Sequence, residues 1–236
     1  MTRAVWGGDA RTRKHPIVSG ARFEVGPPHD DAHPFLTLPD GRRRPDAIAL
    51  LLHGGAEHGL QRTNKRTPPL LRMIAVGRSI ERALAGRVAV ATLRDAVRGY
   101  NGEQRSPVVD AQWALRRLRE LYPDAPIALV GHSMGGRVAL EVAGTDGVVT
   151  VVGMAPWIPR QYDVQPFLGR HTLLLHGRRD VVTDPRESAK LVRRIADAGG
   201  HARGIQLTDW HPMLLQARAW HRHTTAFLAE TVLGAR

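Results

Sequence analysis

Six consecutive apolar residues, Ala47–Leu52 (AIALLL), stop abruptly at His53-Gly54-Gly55. A half-exposed strand alternates polar with apolar positions, and an amphipathic helix turns polar every third or fourth residue. A short run that is apolar throughout suits a parallel strand buried on both faces, which in turn needs helices on either side of its sheet. The downstream pattern agrees. Residues 69–85 carry Leu70, Met73, Ile74, Ile80 and Leu84 at helical spacing, weakened by Gly77, and 87–93 reads as the next strand. Ser106–Leu121 reads as a helix capped by Ser106, with Pro107 at its first helical position. Strands at 127–131, Val148–Met154, 172–176 and 202–207 then alternate with helices at 135–142, 185–198 and 213–233. Such alternation implies right-handed crossovers and an α/β fold: a mostly parallel central sheet flanked by helices in three layers. The first 45 residues hold only short extended pieces, 21–25 and 35–38, broken by Gly and Pro. No repeat or low-complexity linker divides the chain, so its 236 residues read as a single domain.

Composition narrows the function classes. No stretch approaches the roughly 18–20 apolar residues of a membrane span, and residues 1–14 are charged with no apolar run behind them, unlike a secretory leader. The absence of cysteine excludes disulfides and thiolate metal sites. The expectation is a cytoplasmic protein with no membrane partner. A net charge of +12 raises nucleic acid as a partner. The basic residues are scattered, however, and only Lys14, Lys65 and Lys190 are lysines, an arginine bias that a GC-rich genome produces without selection for binding. The densest run, Arg42-Arg43-Arg44 after Pro39-Asp40-Gly41, reads as a solvated turn. No nucleic-acid partner is expected.

The chemistry concentrates at Gly131-His132-Ser133-Met134-Gly135, between an apolar strand and a helix. A serine presented there must occupy a sharp, strained turn, and glycines two residues to either side remove the Cβ atoms that would collide with neighbouring backbone. The following helix supplies unpaired N–H groups and a positive dipole end to a developing oxyanion. With 24 glycines in the chain, a given serine is flanked this way by chance about one time in a hundred, so the flanking strand and helix carry much of the weight.

In this setting the sequence resembles the α/β-hydrolases, whose nucleophile elbow often takes the form Gly-His-Ser-Met-Gly-Gly. The resemblance covers residues 47–233. It implies Ser133 as nucleophile and, in the order serine, acid, histidine, two partners. The acid is Asp180, in Leu173-Leu174-Leu175-His176-Gly177-Arg178-Arg179-Asp180, and the histidine is His211, in Asp209-Trp210-His211-Pro212. Leu52-His53-Gly54-Gly55-Ala56 is similar to the oxyanion loop, which assigns one donor to the N–H of Gly55 or Ala56 and the other to that of Met134. Where relatives carry a cap domain this chain has only residues 155–171, too few for a multi-helix lid.

Other candidates have plainer readings. Asp184, before Pro185, reads as a helix cap. His201 precedes the last strand and His221 and His223 fall within the last helix, so His211 has the better position. His53 and His176 precede glycines at strand ends and read as structural. His29, Asp30, Asp31 and His33 fit no zinc spacing; no metal is expected and no cofactor motif is visible. Tyr100 and Trp157 lie on loops at the carboxyl edge of the sheet, where ligands bind, with loop packing as the alternative. Arg94 and Arg98 read as surface ion pairs, with attraction of an anionic substrate as the alternative. The function expected is a serine hydrolase cleaving carboxylic ester or thioester bonds of a small-molecule acyl substrate through an acyl-serine. Two alternatives stay open: an acyltransferase or perhydrolase using the same triad, and an inactive hydrolase-like binding protein.

Overall fold

The described residues form one eight-stranded sheet in the order β1-β2-β4-β3-β5-β6-β7-β8. The strands are β1 (Phe23–Val25), β2 (Phe35–Thr37), β3 (Ala47–Leu52), β4 (Val88–Arg94), β5 (Ile127–His132), β6 (Val148–Met154), β7 (His171–Gly177) and β8 (His201–Leu207). β1 and β2 are antiparallel additions at one edge, and every pairing from β4 onward is parallel. This computed structural model describes residues 22–39 and 44–234. Residues 1–14 and most of the basic run, Arg42-Arg43, lie outside them; Arg44 pairs with Asp124 on the surface.

Side chains on a strand alternate between faces, and β3 shows what each face holds. Ile48, Leu50 and Leu52 pack with Ala111, Leu115 and Leu118 of α2 (Ser106–Leu121) and Val138 and Leu140 of α3 (Met134–Glu141). Leu191 and Ile195 of α4 (Pro185–Asp197) belong to the same cluster. Ala47, Ala49 and Leu51 pack on the other face with Met73, Val76 and Ile80 of α1 (Pro68–Ala83) and Trp220, Phe227 and Leu228 of α5 (Ala217–Leu228). Every residue of β3 is buried, which is why its sequence lacks alternation. Truncating a side chain such as Trp220, fully buried beneath the sheet, is expected to cost about 3–5 kcal/mol.

The connections place a site before any side chain is considered. β3 leads through α1 to β4 on one side, and the chain then returns through α2 to β5 on the other side of β3. The strand order therefore reverses between β3 and β5, and the crevice beyond their carboxyl ends is where ligands bind in open α/β sheets. His53-Gly54-Gly55 leaves β3 there, and Ser133 leaves β5.

Two local expectations are corrected. Ser106 does not cap α2: Arg105, in a left-handed conformation (φ 47°), precedes the helix, and no side chain caps it. Ser106 is the first helical residue, Pro107 the second, and the Ser106 hydroxyl accepts a bond from Asn101 Nδ2 (3.1 Å). The last helix begins at Ala217 rather than 213, then continues as a π turn, Ala229–Leu233. Met213 is left-handed (φ 58°), and the N–H groups of Leu215 and Gln216 bond the buried Asp209 carboxylate instead of entering a helix. The interval between β6 and β7 carries a single 3₁₀ turn, Gln165–Phe167.

Candidate active site

The turn at Ser133 exists because two glycines let backbones touch. A Cβ on Gly131 would collide with the Gly135 carbonyl, and a Cβ on Gly135 with the Leu52 carbonyl of β3. Ser133 itself stands at φ 55°, ψ −118°, a conformation that costs a non-glycine residue on the order of 1–3 kcal/mol and persists only where its surroundings enforce it. The enforcing bonds are Ser133 N–H to Met154 O (3.0 Å) and Trp157 N–H to Ser133 O (3.1 Å), which tie the elbow to the end of β6. The hydroxyl consequently stands at the amino end of α3, above the crevice.

Two loops bring the partners expected from sequence to that hydroxyl. His211 Nε2 lies 2.9 Å from Ser133 Oγ, and His211 Nδ1 lies 2.7 Å from Asp180 Oδ2. Asp180 sits in a turn of its own making: Oδ1 accepts from Val182 N (2.8 Å) and Thr183 N (3.0 Å), and Oδ2 accepts from the Thr183 hydroxyl (2.9 Å). His176 Nε2 adds a contact to Oδ2 at 3.3 Å. Burial pushes the Asp180 carboxyl upward, but the bonds from His176, His211, Thr183 and Val182 outweigh it and hold the group well below the usual carboxylate range. It is an anion at any working pH. Asp184 caps α4 as expected, accepting from Arg186 N (2.9 Å).

The histidine loop is shaped by a second carboxylate that sequence reasoning did not single out. Asp209, fully buried, accepts from the N–H groups of Trp210, Leu215 and Gln216 and from the Trp220 indole. A Cβ on Gly177 would stand 2.5 Å from the Asp209 carbonyl, so the glycine after β7 admits this loop. His132, inside the elbow, supports His211 from below: its Nε2–H donates to the His211 carbonyl (3.0 Å), with the rings 5.0 Å apart. Burial, reinforced by His211, lowers the His132 pKa to about 3. Its buried Nδ1 has no partner among the described residues, as befits a neutral ring.

On the opposite side, Gly54 and Gly55 pack against Ser133 and Met134; Cβ atoms added to them would lie 3.3 Å from Ser133 Cβ and 2.5 Å from Met134 Cε. Of the two donors left open by sequence, Ala56 N–H is engaged by Arg98 O (3.0 Å), which leaves Gly55. Met134, the first residue of α3, contributes an N–H with no partner within its helix. His53 lies behind this loop: its Nδ1–H donates to Gly54 O (2.7 Å) and its Nε2 accepts from Asp95 N (3.2 Å). Burial lowers the pKa of His53, and burial together with the nearby Asp110 raises that of Asp95.

The remaining candidates separate. Tyr100 is buried, with its hydroxyl on Glu141 (2.8 Å) and its ring edge on Trp157. Arg137 covers both rings and pairs with Glu141. Tyr100 is thereby a packing residue, whereas Trp157 is partly exposed and borders a cavity of about 580 Å³ with Val182 and Thr183. Arg94 and Arg98 make no ion pair with a described residue; Arg94 lies over Phe35 and donates to Thr63 O, and Arg98 is exposed. His29 bonds Asp110 (2.6 Å), His33 the Gly26 carbonyl and Asp31 pairs with Arg62, so these residues diverge. Among the described residues no group of three His, Asp or Glu side chains converges on a point that would hold a metal, and no helix is long and apolar enough to cross a membrane.

No family model and no curated protein matches this chain. Solved structures do. An α/β hydrolase, MGS-M1, from a Medee basin deep-sea metagenome superposes with TM-score 0.68 at 17% identity, over 91% of this chain and 99% of that one. Esterase Pf2001 of Pyrococcus furiosus gives 0.67 at 16%, over 92% and 96%. XC6422 of Xanthomonas campestris, described as an α/β serine hydrolase without a lid, gives 0.66 at 14%, over 92% and 96%. This chain has the α/β-hydrolase fold. In this chain Ser133, Asp180 and His211 follow the ends of β5, β7 and β8, and their side chains meet there.

Proposed function

We propose that this chain is a serine hydrolase that cleaves carboxylic ester or thioester bonds through an acyl-serine intermediate. The observation that carries the reading is the continuous path Ser133 Oγ–His211–Asp180, with links of 2.9 and 2.7 Å, beside the Gly55 and Met134 N–H groups. Asp180 holds Nδ1–H toward itself, so Nε2 presents its lone pair to the serine hydroxyl. As Oγ bonds to the substrate carbonyl carbon, its proton passes to Nε2 and the carbonyl π electrons move onto oxygen. Gly55 and Met134 stabilise that oxyanion by about 3–4 kcal/mol per donor. Collapse expels the alcohol or thiol, which takes the proton from His211, and leaves Ser133 acylated. Water then repeats the sequence with His211 as base and releases the acid. Asp180 stabilises the imidazolium in both halves without taking its proton.

Purified protein offered p-nitrophenyl esters and acyl thioesters of increasing chain length is expected to turn over at least one series with Ser133-dependent kinetics. Ser133→Ala is expected to lower kcat by about 10⁶. A folded Ser133→Ala protein that retains wild-type turnover contradicts the reading. Product analysis with added alcohol or peroxide measures how much acyl group reaches acceptors other than water.

A further inference from the structure

The two sides of Ser133 differ in charge: the Asp180 side carries both signs, Arg160, Arg186 and Lys190 beside Asp184 and Glu187, whereas the other is lined by cations. A cleft of about 910 Å³ begins at His53, Gly54 and Gly55 and runs along the segment that leads into α1. Among the described residues its walls hold Arg62, Lys65, Arg66 and Arg98 and no Asp or Glu. Elsewhere on the surface several arginines are matched by carboxylates, Arg87 with Asp46, Arg105 with Glu141, Arg117 with Glu24 and Arg203 with Glu230, while others such as Arg116, Arg179 and Arg218 are exposed with no ion-pair partner among the described residues. In the cleft only Arg62 is matched, by Asp31; Lys65, Arg66 and Arg98 have no carboxylate partner among the described residues.

Arg98 is the best placed of the three. Its carbonyl accepts from Ala56 N (3.0 Å) and its own N–H donates to Gln61 O (2.9 Å). The next residue repeats the tie, with Gly99 N–H on Gly59 O (2.8 Å). The backbone of Arg98 thus joins the oxyanion loop to the opposite wall of the cleft, and its exposed guanidinium starts from a fixed point beside Gly55. A cleft walled by one sign of charge concentrates ligands of the other sign, and arginine suits planar oxyanions because its N–H groups form a fork. Resting on the hydrolase reading above, we propose that the substrate is an anionic ester or thioester: one of its arms carries an anionic group, of which a carboxylate is the simplest form, and this group lies in the cleft on Arg98, Lys65 and Arg66 while the scissile carbonyl sits at Ser133.

Matched esters that differ by one carboxylate test this. Mono-p-nitrophenyl glutarate against p-nitrophenyl pentanoate places the charge on the acyl arm; 4-acetoxybenzoate against its methyl ester places it on the alcohol arm. The readout is the charged-to-neutral ratio of kcat/KM. In one pair, at low salt, the wild-type ratio is expected to exceed that of Arg98→Gln, or of Lys65→Gln with Arg66→Gln, by about tenfold, and the excess is expected to collapse in concentrated salt. Arg203→Gln, on the remote β8 edge, controls for lost net charge and is expected to keep the wild-type ratio. A wild-type ratio at or below one in both pairs, or a ratio that the cleft variants leave unchanged, overturns the proposal. Should no ester be turned over, titration of the protein with monomethyl glutarate and with methyl pentanoate decides the matter. Charge-selective binding that is lost in Arg98→Gln sustains the cleft and removes the hydrolase reading; binding without selectivity removes the cleft.

Discussion

The acid side and the oxyanion side of Ser133 are built by opposite means. On the acid side, side chains do the positioning: Asp180 holds five neighbours, Val182, Thr183, His176 and His211 through its two oxygens and Gly177 through its own N–H. Asp209 fixes the loop that carries His211. The rim there exposes apolar residues, Val181, Val182, Trp210, Leu214 and Leu215, among charges of both signs such as Arg178, Asp184 and Arg186. On the oxyanion side the groups proposed to act are backbone N–H groups, placed by the closeness that Gly54 and Gly55 allow, and the rim is cationic. The same dipeptide serves both. His53-Gly54 follows β3 and His176-Gly177 ends β7; the first imidazole braces a backbone carbonyl, the second a carboxylate. The bond to Asp180 fixes the orientation of the His211 ring, whereas the Gly54-Gly55 backbone is held by packing.

This contrast predicts that the two sides fail differently. Asp180→Asn should cost the most, about 10⁴ in kcat, because an amide N–H facing His211 Nδ1 favours the wrong tautomer while the loops stay in place. Steady-state kinetics beside an unchanged circular dichroism spectrum would check it, and near-normal kcat would mean the acid side does not set the tautomer. Gly55→Ala should cost less, about 10²–10³ in kcat, through displacement of one oxyanion donor. The added methyl meets the Arg98 carbonyl and Met134, so unaltered kcat would show that the donor lies elsewhere.

The smallest effect concerns acid stability. His132 stays neutral in the fold down to about pH 3 but titrates near 6.5 when unfolded. Between those values the unfolded chain binds more protons, so stability falls as pH is lowered through the window, by on the order of 3 kcal/mol at pH 4. His132→Gln, which keeps a donor for the His211 carbonyl, should flatten that slope in urea titrations at pH 7 and pH 4; a wild-type slope would assign the acid sensitivity to another group. Asp180 acts in the same direction but lower. Its carboxylate remains ionised in the fold where the unfolded group takes a proton near 3.8, so its contribution is present above that pH and is lost below it.

The parts of the site legible in sequence were those written in short-range pattern. Ala47–Leu52 ends where its apolar run ends, and the elbow glycines announce the turn because a Cβ there would meet backbone. The parts that were not legible depend on partners distant in sequence. Ser106 looked like a cap, but the fold gives its hydroxyl to Asn101. Residues 213–216 have helical composition, yet their N–H groups go to Asp209, and nothing local marks Asp209 as buried. Tyr100 lay at the binding edge by position, and Glu141 with Arg137, some forty residues on, took it into the core.

The central claim, that Ser133 is an activated nucleophile in a hydrolase site, is tested most directly by a fluorophosphonate probe read by intact and peptide mass. The account predicts one adduct per chain, on Ser133, absent in Ser133→Ala and slowed in Asp180→Asn. Folded wild-type protein that takes no label, or takes it on another residue, would contradict it.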